Sequence, residues 1–274
     1  MQPPLVSVVV PTKNSAGTLD ACLRSIAAQT HPHIELIVVD NFSTDGTAEL
    51  ARQYTPHVSS LGPERSTQRN HGVSQATGRY VAIIDSDMQL DPDVIAACVQ
   101  AVAAQPATLG LVIPEESFGE GFWAQCKRLE RSFYVGVPWM EAARFFDRAA
   151  YIDAGGYDPT LISGEDWDLA RRIEAAGPIG RIDQFIRHNE GRISLATTLR
   201  KKYYYARHAR AYLRRHPEQS LLGAQAGPLQ GYRLFLSRPG QLFRNPALGL
   251  GVLTMKTAEF AAGALGYLGD RRGV

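Results

Sequence analysis

A chain of 274 residues, 45% hydrophobic and 20% charged, is long enough and apolar enough to bury a full core, which excludes a disordered protein. Cys22, Cys98 and Cys126 are odd in number, far apart and without CxxC spacing, so they read as reduced, buried thiols of a cytosolic protein. The net charge of +2 hides a split: residues 1–199 carry 16 Lys and Arg against 24 Asp and Glu, while residues 200–244 carry 10 against the single acid Glu218.

An acidic body followed by a basic tail implies that the two meet different partners. No nucleic-acid partner is expected. The opening Met1-Gln2-Pro3-Pro4 has neither a basic start nor a leader-like apolar run, so no signal peptide is expected.

Leu5 to Val10 reads as a strand that Pro11 stops. A helical pattern follows from Thr18 to about Gln29, with Leu19, Cys22, Leu23 and Ile26 on one face. Ile34 to Val39 is the second strand, closed by Asp40, and the polar turn Asn41 to Thr47 leads into a second helix. Strands and helices alternating at these spacings predict parallel βαβ units with right-handed crossovers. The first strand is not followed by Gly-x-Gly-x-x-Gly or by a Gly-Lys-Ser/Thr loop, so any nucleotide must be held by side chains and strand-end backbone.

The apolar run Tyr80 to Ile84 reads as a buried strand ending in Asp85-Ser86-Asp87. Alternation along a strand would turn both carboxylates to one side, at the edge where open α/β sheets bind ligands. Both stay ionised there only beside positive charge, which a hard divalent cation shared with phosphate oxygens would supply. The plainer alternative is that the two aspartates cap the following turn.

Further on, Trp123 to Arg131 reads as a helix and Ala142 to Phe146 as a returning strand. Glu165-Asp166 opens a helix in which Ser163-x-x-Asp166 also fits a capping box. Arg181 to Arg187 alternates like an edge strand and delivers His188 beside Glu190 and Gly191, within reach of a cation held by Asp87.

Taken together and in order, Val8 to Asn14, Val38 to Thr47, Arg69-Asn70-x-Gly72, Asp85-Ser86-Asp87, Gly155 to Asp158 and Gly164-Glu165-Asp166 resemble glycosyltransferase family 2 of the GT-A fold. The resemblance covers roughly residues 5–195. It implies an α/β, Rossmann-like nucleotide-diphospho-sugar transferase domain over 1–198 and a mostly helical, membrane-associating extension over 199–274.

It also implies roles. Asp40 and Arg69 would read the base, with Pro11, Thr12 and Asn14 lining the same pocket. Asp85 would face the ribose or support the metal shell, and Asp87 would bind Mn2+ or Mg2+ and the diphosphate. Gln89 would be a further metal ligand by similarity to dolichyl-phosphate-mannose-synthase-like members, and His188 the distal one. Asp166 would be the general base of an inverting transfer, with Glu165 positioning the acceptor or a sugar hydroxyl. GDP-mannose or a UDP-hexose is the expected donor.

The tail resembles those of bacterial members that act on polyprenyl-(di)phosphate-linked sugars. Its basic helix (Lys201, Lys202, Arg207, Arg210, Arg214, Arg215) and the apolar run Ala247 to Leu268, interrupted by Lys256 and Glu259, read as interfacial or packed rather than spanning. The enzyme would then sit peripherally on the inner face of the cell membrane, with a lipid-linked saccharide as acceptor. Two alternatives stay open: a soluble acceptor with the tail serving homo-oligomerisation, and a non-catalytic sugar-nucleotide binder.

Overall fold

The computed structural model describes residues 2–215 and 228–269. Glu218 and the side chains of Arg210, Arg214 and Arg215 therefore lie outside the described residues. The chain begins with β1 (Val6–Thr12), α1 (Ala16–Ala27), β2 (Ile34–Asp40), α2 (Thr47–Ala51), β3 (Val58–Ser60), α3 (Arg65–Gln75) and β4 (Tyr80–Ile83). It continues through β5 (Met88–Leu90), α4 (Val94–Ala104), β6 (Gly110–Val112), β7 (Glu115–Phe118), α5 (Gly121–Ser132) and β8 (Ala143–Asp147). Then follow α6 (Arg148–Asp153), α7 (Glu165–Glu174), β9 (Ile179–Arg181), β10 (Ile186–Asn189) and α8 (Leu195–Arg215). Last come α9 (Pro228–Leu236), α10 (Pro239–Leu242) and α11 (Pro246–Gly269).

Two compact units are present: residues 1–115, 142–159 and 165–189 form one, and residues 116–141, 160–164 and 190–274 the other. The second unit, called the C-terminal unit below, joins α5 and its flanks to the chain from Glu190 onward.

The first unit holds a seven-stranded sheet ordered β3-β2-β1-β4-β8-β6-β9. All seven residues of β1 are buried, because helices cover both faces. Val6, Val8 and Val10 pack with Leu19, Cys22, Leu23 and Ile26 of α1, the face expected from the periodicity. Val9 points the other way, toward Val73 of α3 and Leu169 of α7. The pairings β1–β2, β1–β4 and β2–β3 are parallel, as expected, and β8 enters antiparallel beside β4. From β1 the chain builds outward through β2 and β3, then returns to place β4 on the other side. That reversal opens a crevice at the carboxyl ends of β1 and β4, where ligands bind in such sheets.

Three expectations differ from the structure. Pro11 does not stop β1, which runs on beside β2 with Pro11 opposite Val39 and Thr12 opposite Asp40. Arg181 to Arg187 is not one strand: β9 pairs with β6 in the main sheet, whereas β10 pairs antiparallel with β5. Between them Ile182 N donates to Val112 O and Ile186 N to Pro114 O, so the chain changes sheets within a few residues. β4 also ends at Ile83, so Asp85 and Asp87 sit in a turn where strand alternation no longer sets their direction.

In the C-terminal unit, α11 packs on α8 and α5 around Cys126, Phe133, Phe235, Leu242, Val252 and Met255. Lys256 and Glu259, which interrupt the apolar run, point inward. Lys256 Nζ lies 2.7 Å from Glu130 Oε1 and 2.9 Å from Glu259 Oε2, and Lys127 Nζ bridges Glu130 and Glu259 at 2.7 and 2.9 Å. Among the described residues no helix is long and apolar enough to cross a membrane.

Candidate active site

The loops after β1 and β2 are laced together. Asn14 N donates to Ser43 Oγ at 2.7 Å, and Asn14 Oδ1 accepts from Thr44 N at 2.9 Å. Asp40, almost fully buried at the end of β2, accepts from Ser43 N (2.8 Å) and Ser43 Oγ (2.5 Å). Gln68 Nε2 ties the two strand ends, donating to Thr12 O and Val39 O. Thr12 Oγ1 is buried without a hydrogen-bond partner among the described residues, a state that a ligand in this crevice would relieve.

Gly72 explains why α3 can lie so near β1: a Cβ there would stand 2.3 Å from Val9 Cγ1. The close approach brings Arg69, fully buried, beneath the crevice. Its Nη2 lies 2.8 Å from Asp85 Oδ1 and its Nη1 2.9 Å from Asp166 Oδ1. The guanidinium also sits 4.7 Å from the centre of the Tyr157 ring. Asn70 fixes the backbone that carries that ring. Its Oδ1 accepts from Tyr157 N and Tyr151 Oη, and its Nδ2 donates to Tyr157 O. Gly156, at φ +65°, makes the left-handed turn that presents Tyr157 to this clamp.

Asp85 has both oxygens occupied by guanidiniums, because Oδ2 also lies 3.4 Å from Arg144 Nη1. Burial pulls its carboxyl upward, yet Arg69 and then Arg144 outweigh that and hold it far below the usual carboxylate range. The positive charge that keeps Asp85 ionised is thus arginine. Arg144 in turn donates from Nε to Glu115 Oε1 at 2.7 Å.

Arg69, expected to read the base with Asp40, is directed instead to Asp85, Asp166 and Glu165. Asp166 is not part of a capping box: α7 starts at Glu165, so Gly164 rather than Ser163 precedes the first turn. Glu165 is buried against Arg65 at 2.7 Å. Burial first, and then the Asp166 charge beside it, raise the Glu165 pKa despite the two arginines.

Asp87 goes elsewhere. Its Oδ2 lies 3.3 Å from His188 Nε2, and Asp87 O accepts from Asn189 N at 2.8 Å. Two ligands at right angles, each about 2.1 Å from a small divalent cation, stand about 3 Å apart, so this pair fits adjacent positions on one ion. Among the described residues no three His, Cys, Asp or Glu side chains converge on a metal position. Such a donor set suits an ion whose remaining positions are completed by phosphate and water. Gln89 pairs in register with Arg187 and His188 with Met88, which puts Gln89 on the ribbon face opposite His188.

Arg144, Glu115 and Arg65, which join the charged contacts of the site, lie in no family motif of the sequence, and Phe42 lies within one that gives it no role. Arg144 had a signal: a charged residue inside the otherwise apolar strand Ala143 to Phe146 must be paired if it is buried. Phe42 carries a positive φ of +50° and is 67% exposed beside Asp40, which only the backbone reveals.

A mixed, mostly parallel sheet with carboxylates, arginines and a histidine gathered beyond the ends of β1 and β4 is the GT-A architecture. The chain belongs to the family described as "Glycosyl transferase family 2", whose domain matches residues 7–155, more than half of its length. A PGL/p-HBAD biosynthesis glycosyltransferase of Mycobacterium bovis is 38% identical over 181 residues, covering 62% of this chain and 69% of that protein. The glycosyltransferase AglE of Haloferax volcanii is 39% identical over 93 residues, 31% of each chain. The first four curated relatives are matched over only 20–36% of their own length.

Among solved structures, the mannosyltransferase PcManGT of Pyrobaculum calidifontis, in complex with GDP-Man and Mn2+, superposes with a TM-score of 0.65 at 19% identity. The match covers 98% of this chain and 88% of that one. S. aureus TarS 1-349 in complex with UDP gives 0.54 at 17% identity, over 98% and 92%. At these identities the likeness shows the fold alone.

Proposed function

We propose that this chain transfers a sugar from a nucleoside diphosphate donor to an acceptor hydroxyl, with inversion at the anomeric carbon. The observation that carries the reading is the meeting of Asp87 and His188, a two-donor set left for a diphosphate to complete. PcManGT, described with GDP-Man and Mn2+, supports it by analogy. Asp87 and His188 would hold Mn2+ or Mg2+, while Asp85 and Gln89, for the geometric reasons given, would not. When bound, the cation neutralises charge gathering on the departing diphosphate.

The chain's own residues supply the rest. Asp40, Thr12 and Asn14 line the nucleoside end, with Pro11 in the strand just before Thr12. Asp166 accepts the acceptor's hydroxyl proton as that oxygen bonds to the anomeric carbon, and the bond to the diphosphate breaks on the opposite face. Arg69 holds Asp166 at one fixed place relative to Asp85, which is the positioning that an in-line displacement needs. Arg65 and Glu165 brace the same end.

The acceptor in this reading is a lipid-linked saccharide, and the C-terminal unit lies on an anionic membrane surface. The biosynthetic name of the mycobacterial relative and the exposed apolar side chains of that unit support it.

Thermal melting with UDP, GDP and ADP, each with and without Mn2+, tests the donor half, since a ligand that binds the native state raises its stability. One diphosphate should raise the melting temperature only when Mn2+ is present, and D87A should abolish that dependence. If no nucleotide shifts the parent, or the shift ignores Mn2+, the reading is wrong.

A further inference from the structure

Arg144 is buried in β8 and has no part in the transfer as described. A guanidinium is kept in such a strand only where carboxylates meet it. Glu115 meets its Nε at 2.7 Å and Asp85 its Nη1 at 3.4 Å. Each of these carboxylates turns its other oxygen to a different part of the site. Asp85 Oδ1 accepts from Arg69, whose second nitrogen holds Asp166. Glu115 Oε2 faces His188 Nδ1 at 3.7 Å, and His188 Nε2 faces Asp87. Arg144 is therefore the middle of an unbroken series of charged and polar contacts running from Asp87 and His188 to Asp166.

We propose that Glu115 and Arg144 are positioning residues that tie the cation end of the site to its base end. The inference rests on the reading of Asp87 and His188 as cation ligands and of Asp166 as base. At 3.7 Å the Glu115 carboxylate acts on His188 Nδ1 through its charge, which favours the ring proton on that side and leaves the Nε2 lone pair facing Asp87 to a metal. Arg144 holds Glu115 and Asp85 at a set separation, and through Asp85 it steadies Arg69 and Asp166. Lysine in its place would keep the charge but lose the planar fork that spans both carboxylates.

The two residues have separable signatures. E115Q should weaken Mn2+ binding in the presence of UDP or GDP by about 10–100-fold, the usual effect of losing an outer partner of a ligating histidine. Its kcat at saturating Mn2+ should stay within a few-fold of the parent. R144M should lower both Mn2+ affinity and kcat, and R144K should recover part of each.

The experiment is a Mn2+ titration of the full chain followed by electron paramagnetic resonance of the free ion, with UDP and GDP tried in parallel. Melting temperatures and turnover of UDP-glucose or GDP-mannose are recorded for the same samples. If E115Q and R144M melt with the parent and keep its Mn2+ affinity and kcat, the inference is overturned. Should R144M fail to fold, unchanged Mn2+ affinity in both E115Q and R144K overturns it equally. D87A separates the two levels: if it loses Mn2+ while E115Q and R144M retain it, only the positioning inference falls. If D87A itself retains Mn2+, the reading beneath it falls.

Discussion

Arg69 Nη1 lies 2.9 Å from Asp166 Oδ1, so the proposed base is held by a guanidinium that water does not reach. Asparagine at 166 would still accept that hydrogen bond but could not take a proton. D166N should therefore melt close to the parent and bind nucleoside diphosphate within a few-fold of it, while transfer falls by about two to four orders of magnitude. Calorimetry with the diphosphate and a transfer assay on the same preparation check this. A D166N enzyme that keeps its turnover would reduce Asp166 to a structural partner of Arg69.

Phe42 leads to a prediction in which two measurements move in opposite directions. A bulky aromatic residue at φ +50° is an outlier that costs about 1–3 kcal/mol, and its ring is mostly exposed beside Asp40. Strain kept for an exposed ring is explained if the ring stacks on the base, a contact worth about 1–3 kcal/mol by comparison with other base–aromatic stacks. F42G should raise the melting temperature slightly while weakening nucleoside diphosphate binding by roughly 5–150-fold. Equal affinity in F42G and parent would remove Phe42 from the site.

Much of this arrangement was legible in the sequence. Short apolar runs alternating with helical patterns predicted the parallel units, and the expected neighbours Asp87 and His188 do meet. Long-range pairing of buried charge was not legible. Asp85 looks like a metal ligand until Arg69 and Arg144, from two distant segments, are seen on its two oxygens. Lys256 and Glu259 look like interruptions of an interfacial helix until α5 supplies Glu130 and Lys127. A sequence shows that a charge must be paired but not which partner the fold brings to it.

That second pairing makes an acid-stability prediction. Burial pulls the Glu130 carboxyl upward, but Lys256 and then Lys127 outweigh it and hold the group well below the usual range. A carboxylate depressed in the folded state stabilises fully above its unfolded value, near pH 4.3, and that contribution is lost as pH falls toward the folded pKa. The C-terminal unit should thus lose stability below about pH 4. K256M leaves Glu130 buried with less compensation and should cost about 3–5 kcal/mol, much of which K256M/E130Q should recover. Urea unfolding at pH 7 and pH 3.5 reads both effects, and K256M at parental stability would show the quartet to be energetically idle.

With its charges turned inward, α11 leaves leucines outside: Leu250, Leu265 and Leu268 are each more than half exposed. Near its start the helix lies against two further rings, since a Cβ on Gly249 would stand 2.9 Å from Phe243 Cδ1, and one on Gly251 2.7 Å from Phe122 Cζ. Phe122 and Phe243 are themselves exposed, as is Leu236 at the end of α9, and Arg233, Arg238 and Arg244 are exposed in the same stretch of chain. Apolar side chains interleaved with arginines suit the headgroup boundary of an anionic bilayer, where each basic residue near the surface adds about 1 kcal/mol. The full chain should co-sediment with vesicles containing phosphatidylglycerol and much less with pure phosphatidylcholine, and salt should weaken the binding. Substituting Leu236, Phe243 and Leu250 together by Ser should release it while leaving nucleotide-dependent melting unchanged. A parent chain that stays in solution with anionic vesicles at low salt, and elutes as a dimer that the triple substitution converts to monomer, would assign these side chains to a protein interface and end the membrane reading.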